Sequence, residues 1–130
     1  MHGQGTFEVQ MKGEPPFDTV DGVTLSKATL DKTFTGAITG TSTVHMLAAR
    51  TPVELSAGYV AIERIHCTLD GRTGTFALLH VGVMNRGERA LTVRIVPDSG
   101  TGELATISGS MDIRIIDKKH HYEIDYAFGA

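Results

Sequence analysis

Residues 59–84 read YVAIERIHCTLDGRTGTFALLHVGVM, two long stretches rich in apolar residues that flank the pair Asp70-Gly71. Toward the end of the first stretch, apolar and polar residues alternate, which is the period of a strand with one buried face. Asp-Gly is a common pair in tight turns, and Gly74 follows closely. The stretch therefore predicts an antiparallel hairpin with strands over 59–69 and 75–84.

Alternation of the same kind recurs along the rest of the chain. It is clearest at residues 6–12, where Phe7, Val9 and Met11 share one face. Residues 13–22 contain two prolines and are predicted to form a loop. Further strands are predicted over 24–34, 38–47, 91–96, 107–116 and 121–128.

Two short segments have the composition of helical turns. Thr51, Pro52 and Glu54 have the spacing of a capping box, which predicts one helical turn. The Gly-rich residues 100–106 predict a half-turn. No segment predicts a long helix of the kind that connects parallel strands. Eight strands with short connections therefore predict an all-β fold, an eight-stranded antiparallel barrel, with a two-sheet sandwich as the alternative.

Length and charge limit the classes of function. The 130 residues suit a single barrel domain over 1–130. The net charge is -3 and the two signs are interleaved, which argues against a nucleic-acid or membrane partner. The N-terminal residues show no secretion-signal pattern and Cys67 is the one cysteine, so a cytoplasmic location is predicted. No motif predicts a metal site or a cofactor.

A carboxylate and an imidazole are predicted to meet inside this barrel. On the first strand of the hairpin, the odd-numbered face is the more apolar, and it carries Glu63 inward. Pairing of Leu69 with Phe76 across a six-residue connection would put Glu63 opposite Gly82 and diagonal to His80. A buried carboxylate requires a donor, so His80 is the predicted partner. With a raised pKa on Glu63, the two residues would form an acid/base pair.

Three tyrosines are candidates for ligand contacts in the same interior. Tyr122 and Tyr126 share one face of the last strand, and Tyr59 lies near one end of the barrel. Their phenols supply hydrogen-bond donors. The alternative is structural, because aromatic residues commonly fill cores and a histidine in an apolar strand is more often a core group. Cys67 is interpreted as an inert buried thiol.

Three segments resemble a known family. They are TPVELSAGYVAIERI (51–65), TLDGRTGTFALLHVGVM (68–84) and VPDSGTGELATISGSMDIRI (96–115). Together they are similar to the corresponding segments of a bacterial domain-of-unknown-function family, number 3224. The resemblance covers most of the chain and implies an allene-oxide-cyclase-like β-barrel that tends to form homo-oligomers. It implies an architecture and no activity.

The outer face of the hairpin predicts self-association. If His80 points inward, the two strands turn a row of apolar residues outward: Val60, Ile62, Leu79, Val81 and Val83. Monomers seldom expose a continuous apolar surface of that size. A homo-oligomer through the outer face of the 59–84 hairpin is therefore expected.

Three functions remain open at this point. The first is the binding of a small apolar or amphipathic molecule in the barrel interior, with Glu63 and His80 at its polar end. The second is a cofactor-free isomerase or cyclase that uses the same two residues as acid and base. The third is a filled barrel that acts through its oligomer surface.

Overall fold

The computed structural model describes residues 1–129, and these residues form β-strands almost throughout. The one helical element in that range is a 3-10 turn at Gly102–Leu104, inside the segment predicted to hold a half-turn. The strands follow in chain order as β1 (His2–Gly13), β2 (Asp18–Val20), β3 (Val23–Gly36), β4 (Ile38–Arg50), β5 (Ala57–Leu69), β6 (Arg72–Asn85), β7 (Glu88–Ile95), β8 (Ile107–Ile116) and β9 (Lys119–Phe128).

The strands close into a barrel. From β3 to β9, each strand pairs antiparallel with the next one along the chain, and β1 pairs with both β9 and β3. This confirms the predicted eight-stranded antiparallel barrel and excludes the sandwich. The ninth strand, β2, lies within the predicted loop and extends the sheet only beside the first residues of β3. Closure pairs the backbone groups that an open sheet would leave at its edges.

The barrel is strongly staggered. Ala28 on β3 pairs directly with Gly13 on β1. In the other direction, the paired positions lead from Ala28 through β4 to β9 and return to β1 at Gly3. Gly3 and Gly13 are ten residues apart, and this difference is the stagger of the barrel. This row of paired positions runs through Met46, Ala61, His80, Val93, Met111 and Ile124. Eight staggered strands enclose a space just wide enough for side chains or one small ligand.

The central hairpin is tighter than predicted. Asp70 and Gly71 both have positive φ, at 54° and 72°, and form a two-residue turn. Leu69 therefore pairs with Arg72, and the predicted pairing of Leu69 with Phe76 is wrong. The Asp-Gly pair alone makes the turn, because two successive residues with φ > 0 match the twist of the flanking strands. Glu63 consequently lies opposite Leu78 instead of Gly82.

The helical turn predicted after residue 50 is also wrong. Residues 52–55 form bends and turns between β4 and β5, without a helix. The Thr51 hydroxyl does accept a hydrogen bond from the Val53 N–H at 3.2 Å, as a capping residue would. It also donates to main-chain oxygens of the same loop, so the threonine closes a compact turn instead of starting a helix.

Candidate functional site

A fully buried carboxylate lies inside the barrel. Glu63 on β5 is 0% exposed. Its Oε1 accepts hydrogen bonds from the Lys32 ammonium at 3.1 Å and from His80 Nε2 at 2.7 Å, and its Oε2 accepts one from the Ser42 hydroxyl at 2.5 Å. These four residues, here named the charged layer, come from the neighbouring strands β3, β4, β5 and β6. The prediction that Glu63 and His80 meet in a common enclosed space is confirmed.

Strand register explains how the charged layer assembles. Leu78 is directly opposite Glu63, so His80, two residues further along β6, is its diagonal neighbour on the same face. On the other side, Ser42 is diagonal to Glu63 across β4, and Lys32 pairs with Ser42. The lysine therefore reaches past the serine to the carboxylate. Its long aliphatic chain makes this possible while the ammonium stays 3.1 Å from Oε1.

The charged layer keeps Glu63 ionised. Burial alone would raise the pKa of Glu63, but the hydrogen bond from His80, the charge of Lys32 and the hydrogen bond from Ser42 together hold it below its ordinary value. The raised pKa that would suit an acid/base pair is therefore not found. Among described residues, no buried side-chain nitrogen or oxygen lacks a hydrogen-bond partner, so each polar atom of the layer has at least one partner inside the barrel.

Lys32 and Ser42 were not predicted from the sequence. Both are at most 6% exposed and both contact Glu63 directly. Apolar and polar residues alternate poorly along the strand that carries Lys32, so the sequence pattern did not indicate which side chains of this strand point inward. Counting back in steps of two from Phe34 would have placed Lys32 inside, because side chains of one strand face alternate sides.

The three candidate tyrosines lie in different parts of the barrel. Tyr59 is half-buried and lies across Gly82, where a Cβ would clash with its ring. Tyr122 is buried, and its hydroxyl accepts from the Ile38 N–H at 2.8 Å and donates to the Thr35 carbonyl at 2.9 Å. Tyr126 is 8% exposed and packs edge-on against Phe128. None of the three hydrogen-bonds to Glu63, and their proposed contacts with a ligand stay a prediction.

One side of the charged layer is filled. The inward-facing side chains there are fully or nearly fully buried and form a continuous apolar core, the closed half of the barrel. It contains Phe34, Ile38, Ile65, Cys67, Leu69, Phe76, Leu78, Ile95, Leu104, Ile107, Tyr122, Ile124 and Tyr126. Cys67 is a buried core group, and burial raises the pKa of its thiol to about 11, which agrees with the interpretation as an inert thiol.

The other side of the charged layer reaches solvent. By strand register its side chains also point into the barrel, yet they are only partly buried, and Met11 is 63% exposed. These residues form the open half of the barrel: Met11, Leu30, Met46, Ala48, Tyr59, Met84 and Leu91. Between them and the charged layer the inward positions are small, namely Ala28, Ala61 and Gly82. The barrel therefore has a partly exposed apolar open half, here also named the cup, above a buried charged layer, its floor.

A shallow depression marks the rim of the open half. It has a volume of about 100 Å³ and is lined by Tyr59, Gly82, Met84, Arg89 and Leu91, among others. Burial raises the pKa of the Tyr59 phenol, and the nearby charge of Arg89 opposes that shift. The phenol and the guanidinium therefore lie close together at the rim.

The outer face of the hairpin is apolar and exposed, as predicted. Val60, Ile62, Leu79, Val81 and Val83 are between 40% and 53% exposed and lie on the adjacent strands β5 and β6.

Two other features are absent from residues 1–129. Within that range, no three His, Cys, Asp or Glu side chains are placed to hold a metal ion, and no helix has the length and apolarity to span a bilayer.

Comparison with known proteins identifies the family. The family model described as "Protein of unknown function (DUF3224)" matches residues 3–126. The chain belongs to the DUF3224 family. A DUF3224 protein of unknown function from Shewanella oneidensis MR-1 has a crystal structure that matches with a TM-score of 0.95 and 41% sequence identity, over 100% of this chain and 98% of that one. No curated protein matches this DUF3224 chain. The family description gives no activity, so the evidence on function comes from the charged layer and the open half.

Proposed function

We propose that this DUF3224 barrel binds a small apolar or amphipathic molecule in its open half, with the polar end of the molecule against the charged layer. One observation carries the proposal: inward-facing side chains are buried on one side of the charged layer and solvent-accessible on the other. A concave apolar surface with a few convergent polar groups is the usual form of a small-molecule site.

The open half is built to adapt to a ligand. Three of the five methionines of the chain point into it: Met11, Met46 and Met84. Ligand pockets typically have about 300–1,000 Å³, which is more than the rim depression offers. Methionine side chains are unbranched and flexible, so they are suited to moving aside for molecules of different shape.

The charged layer favours binding over acid/base catalysis. A general acid near neutral pH needs a raised pKa, whereas the pKa of Glu63 is lowered. A general base needs access to the proton that it removes, and Glu63 is fully buried beneath three donors. An isomerase or cyclase built on Glu63 and His80 is therefore the weaker candidate.

A neutral fluorescent probe tests the proposal. N-phenyl-1-naphthylamine is apolar and brightens when it leaves water, so titration gives its affinity directly. We expect saturable binding to the wild-type protein. Ala48 on β4 is half-buried and points into the open half, so Ala48→Phe should fill the cup and weaken probe binding about tenfold or more, a loss of about 1.4 kcal/mol.

The neighbouring residue supplies the control. Ala49 is also half-buried, but it lies on the opposite face of the same strand, so Ala49→Phe adds the same ring outside the cup. It should leave the affinity within about twofold, less than 0.5 kcal/mol. Absence of saturable binding, or equal losses in the two variants, would refute the open half as the site.

We also propose that the chain self-associates through the outer face of the hairpin, with a second copy as the partner. The chain exposes 8089 Å² of surface. Monomers of its mass, 13.9 kDa, expose about 6,700 Å² by the usual scaling. A standard interface buries about 800 Å² of each partner. The surface of this chain exceeds the value for a monomer by more than that area. Five half-exposed aliphatic side chains on two adjacent strands provide its apolar centre.

Light scattering after size exclusion tests self-association. We expect a particle mass that is a multiple of 13.9 kDa at micromolar concentration. Val81→Lys puts a charge at the middle of the outer face and should shift the mass to that of one chain. Thr41→Lys adds the same charge at an exposed polar position on β4 and should not. A wild-type protein that elutes as a monomer would disprove this interface.

We also propose that the barrel is allene-oxide-cyclase-like and that the protein is cytoplasmic. The allene-oxide-cyclase-like character of the barrel is supported by the resemblance of residues 51–65, 68–84 and 96–115 and by closure with eight strands. Superposition on such a barrel, strand by strand, checks it. The cytoplasmic location is supported only by the sequence pattern, and fractionation of cells that express the tagged chain checks it.

A further inference from the structure

We infer that the open half selects amphipathic anions, an inference that rests on the binding function proposed above. The observation is the sign of the charges that face inward. Along the barrel strands within residues 1–129, the open half and the charged layer contain one inward-facing acidic side chain, Glu63. The inward-facing basic and imidazole side chains are Lys32, Arg50, His80, Arg89 and His120.

This basic interior runs against the composition of the chain. The protein carries 15 Asp and Glu against 12 Lys and Arg, for a net charge of -3. Apart from Glu63, its acidic side chains are placed outward on the strands or in the connecting turns, whereas the cationic Lys32, Arg50 and Arg89 face the open half. A concave, partly desolvated surface concentrates the field of its charges. Such a cup favours an anion even though the whole molecule would repel one.

The floor of the cup has spare donor capacity. The Lys32 ammonium has three N–H groups, and Glu63 is the one side chain that accepts from it among described residues. The ammonium also lies 4.4 Å from the centre of the Phe7 ring, and the His120 ring packs on the same phenylalanine at 5.0 Å. Desolvation first, and the charge of Lys32 second, lower the pKa of His120, which agrees with their closeness. Lys32 and His120 thus share one corner above Phe7, where Lys32 supplies the positive charge and His120 a neutral imidazole.

The rim adds charge at the entrance. Arg50 and Arg89 are both exposed and lie in the same row of paired positions, connected through Ala57 and Met84. Arg89 also lines the depression beside Tyr59 and Leu91. An amphipathic anion would therefore meet guanidinium groups at the entrance, aliphatic and methionine side chains along the wall, and the Lys32 ammonium at the floor.

Two matched probes test the sign of the ligand charge. The first is 1-anilinonaphthalene-8-sulfonate, and the second is N-phenyl-1-naphthylamine, which has the same aromatic frame without the sulfonate. Arg89→Glu reverses a rim charge and should weaken sulfonate binding about fivefold or more, while the affinity for the neutral probe changes less than about twofold. Raising the salt concentration to 0.5 M should weaken only the sulfonate probe, because salt screens charges.

Arg94→Glu is the control. Arg94 lies on the same strand as Arg89 but on its outer face, so the variant makes the same charge change away from the cup. Both probes should bind it as they bind the wild type. Equal losses with Arg89→Glu and Arg94→Glu, or equal losses of both probes with Arg89→Glu, would overturn the selection of anions while leaving the binding function intact. If neither probe binds the wild type, both proposals fail.

Discussion

Replacing Glu63 by leucine is expected to lower the free energy of unfolding by about 3–5 kcal/mol, which is the usual cost of removing one partner of a buried ion pair. Leucine has a similar volume, so the main loss is electrostatic. The Lys32 ammonium, at 6% exposure, would keep its charge without a counterion, and Ser42 and His80 would lose their acceptor. Urea unfolding followed by circular dichroism measures the change.

A second substitution distinguishes the loss of the ion pair from a general loss of core packing as the cause of the lower stability. Lys32→Met removes the uncompensated charge, so the double variant Glu63→Leu, Lys32→Met should be more stable than Glu63→Leu alone. Replacement of a whole buried pair by apolar residues is often close to neutral. A double-mutant cycle gives the coupling directly. Strictly additive losses would contradict the pairing of Lys32 with Glu63.

The pH dependence of stability gives an independent check on the same carboxylate. The pKa of Glu63 is lower in the folded than in the unfolded chain, so the folded chain binds fewer protons. Its stabilising contribution is therefore complete above the ordinary carboxylate pKa of about 4.3, and it is lost as the pH falls toward the lowered folded value. Wild type should lose stability more steeply than Glu63→Leu over that acid range. Parallel curves would contradict the lowered pKa.

Replacing Tyr122 by phenylalanine is expected to cost about 2–6 kcal/mol, because two main-chain groups lose their partner at about 1–3 kcal/mol each. The hydroxyl accepts from the Ile38 N–H and donates to the Thr35 carbonyl, at the connection between β3 and β4. Phenylalanine fills the same volume but cannot satisfy either group. Thermal and urea unfolding would measure the loss.

Tyr126→Phe is the matched control. Tyr126 lies on the same face of β9 and is buried to a similar degree, and its ring packs on Phe128. The variant should change stability by less than about 0.5 kcal/mol, the usual range when no special contact is lost. Equal effects in the two variants would show that the Tyr122 hydroxyl does not hold the β3–β4 connection.

Much of the fold was predictable because strand periodicity is a local signal. Phe7, Val9 and Met11 alternate with polar residues, and β1 does place them on the inner face. The inward face of the central hairpin was also correct although its register was wrong. The predicted partner of Glu63 was four residues away from the real one, and a shift by an even number keeps every side chain on its own face. His80 stayed diagonal to Glu63 in both registers.

The rest of the site depended on long-range geometry that no local pattern contains. Lys32 on β3 contacts Glu63 on β5 across the intervening strand β4. The sequence of β3 shows no clear alternation of apolar and polar residues. The division into a closed and an open half follows from the ten-residue stagger, which is a property of barrel closure. The helical turn after residue 50 failed for a related reason: the Thr51 hydroxyl found partners within its own loop.

Labelling of methionine methyl groups with ¹³C gives the most direct test of the open half as the binding site. The NMR spectrum would be recorded while N-phenyl-1-naphthylamine is added. Met11, Met46 and Met84 point into the open half, whereas Met111 is 3% exposed and packs in the core. We predict that the first three signals shift with one common affinity and that Met111 stays nearly unchanged. Saturable probe binding that leaves those three signals in place would show that the molecule binds elsewhere.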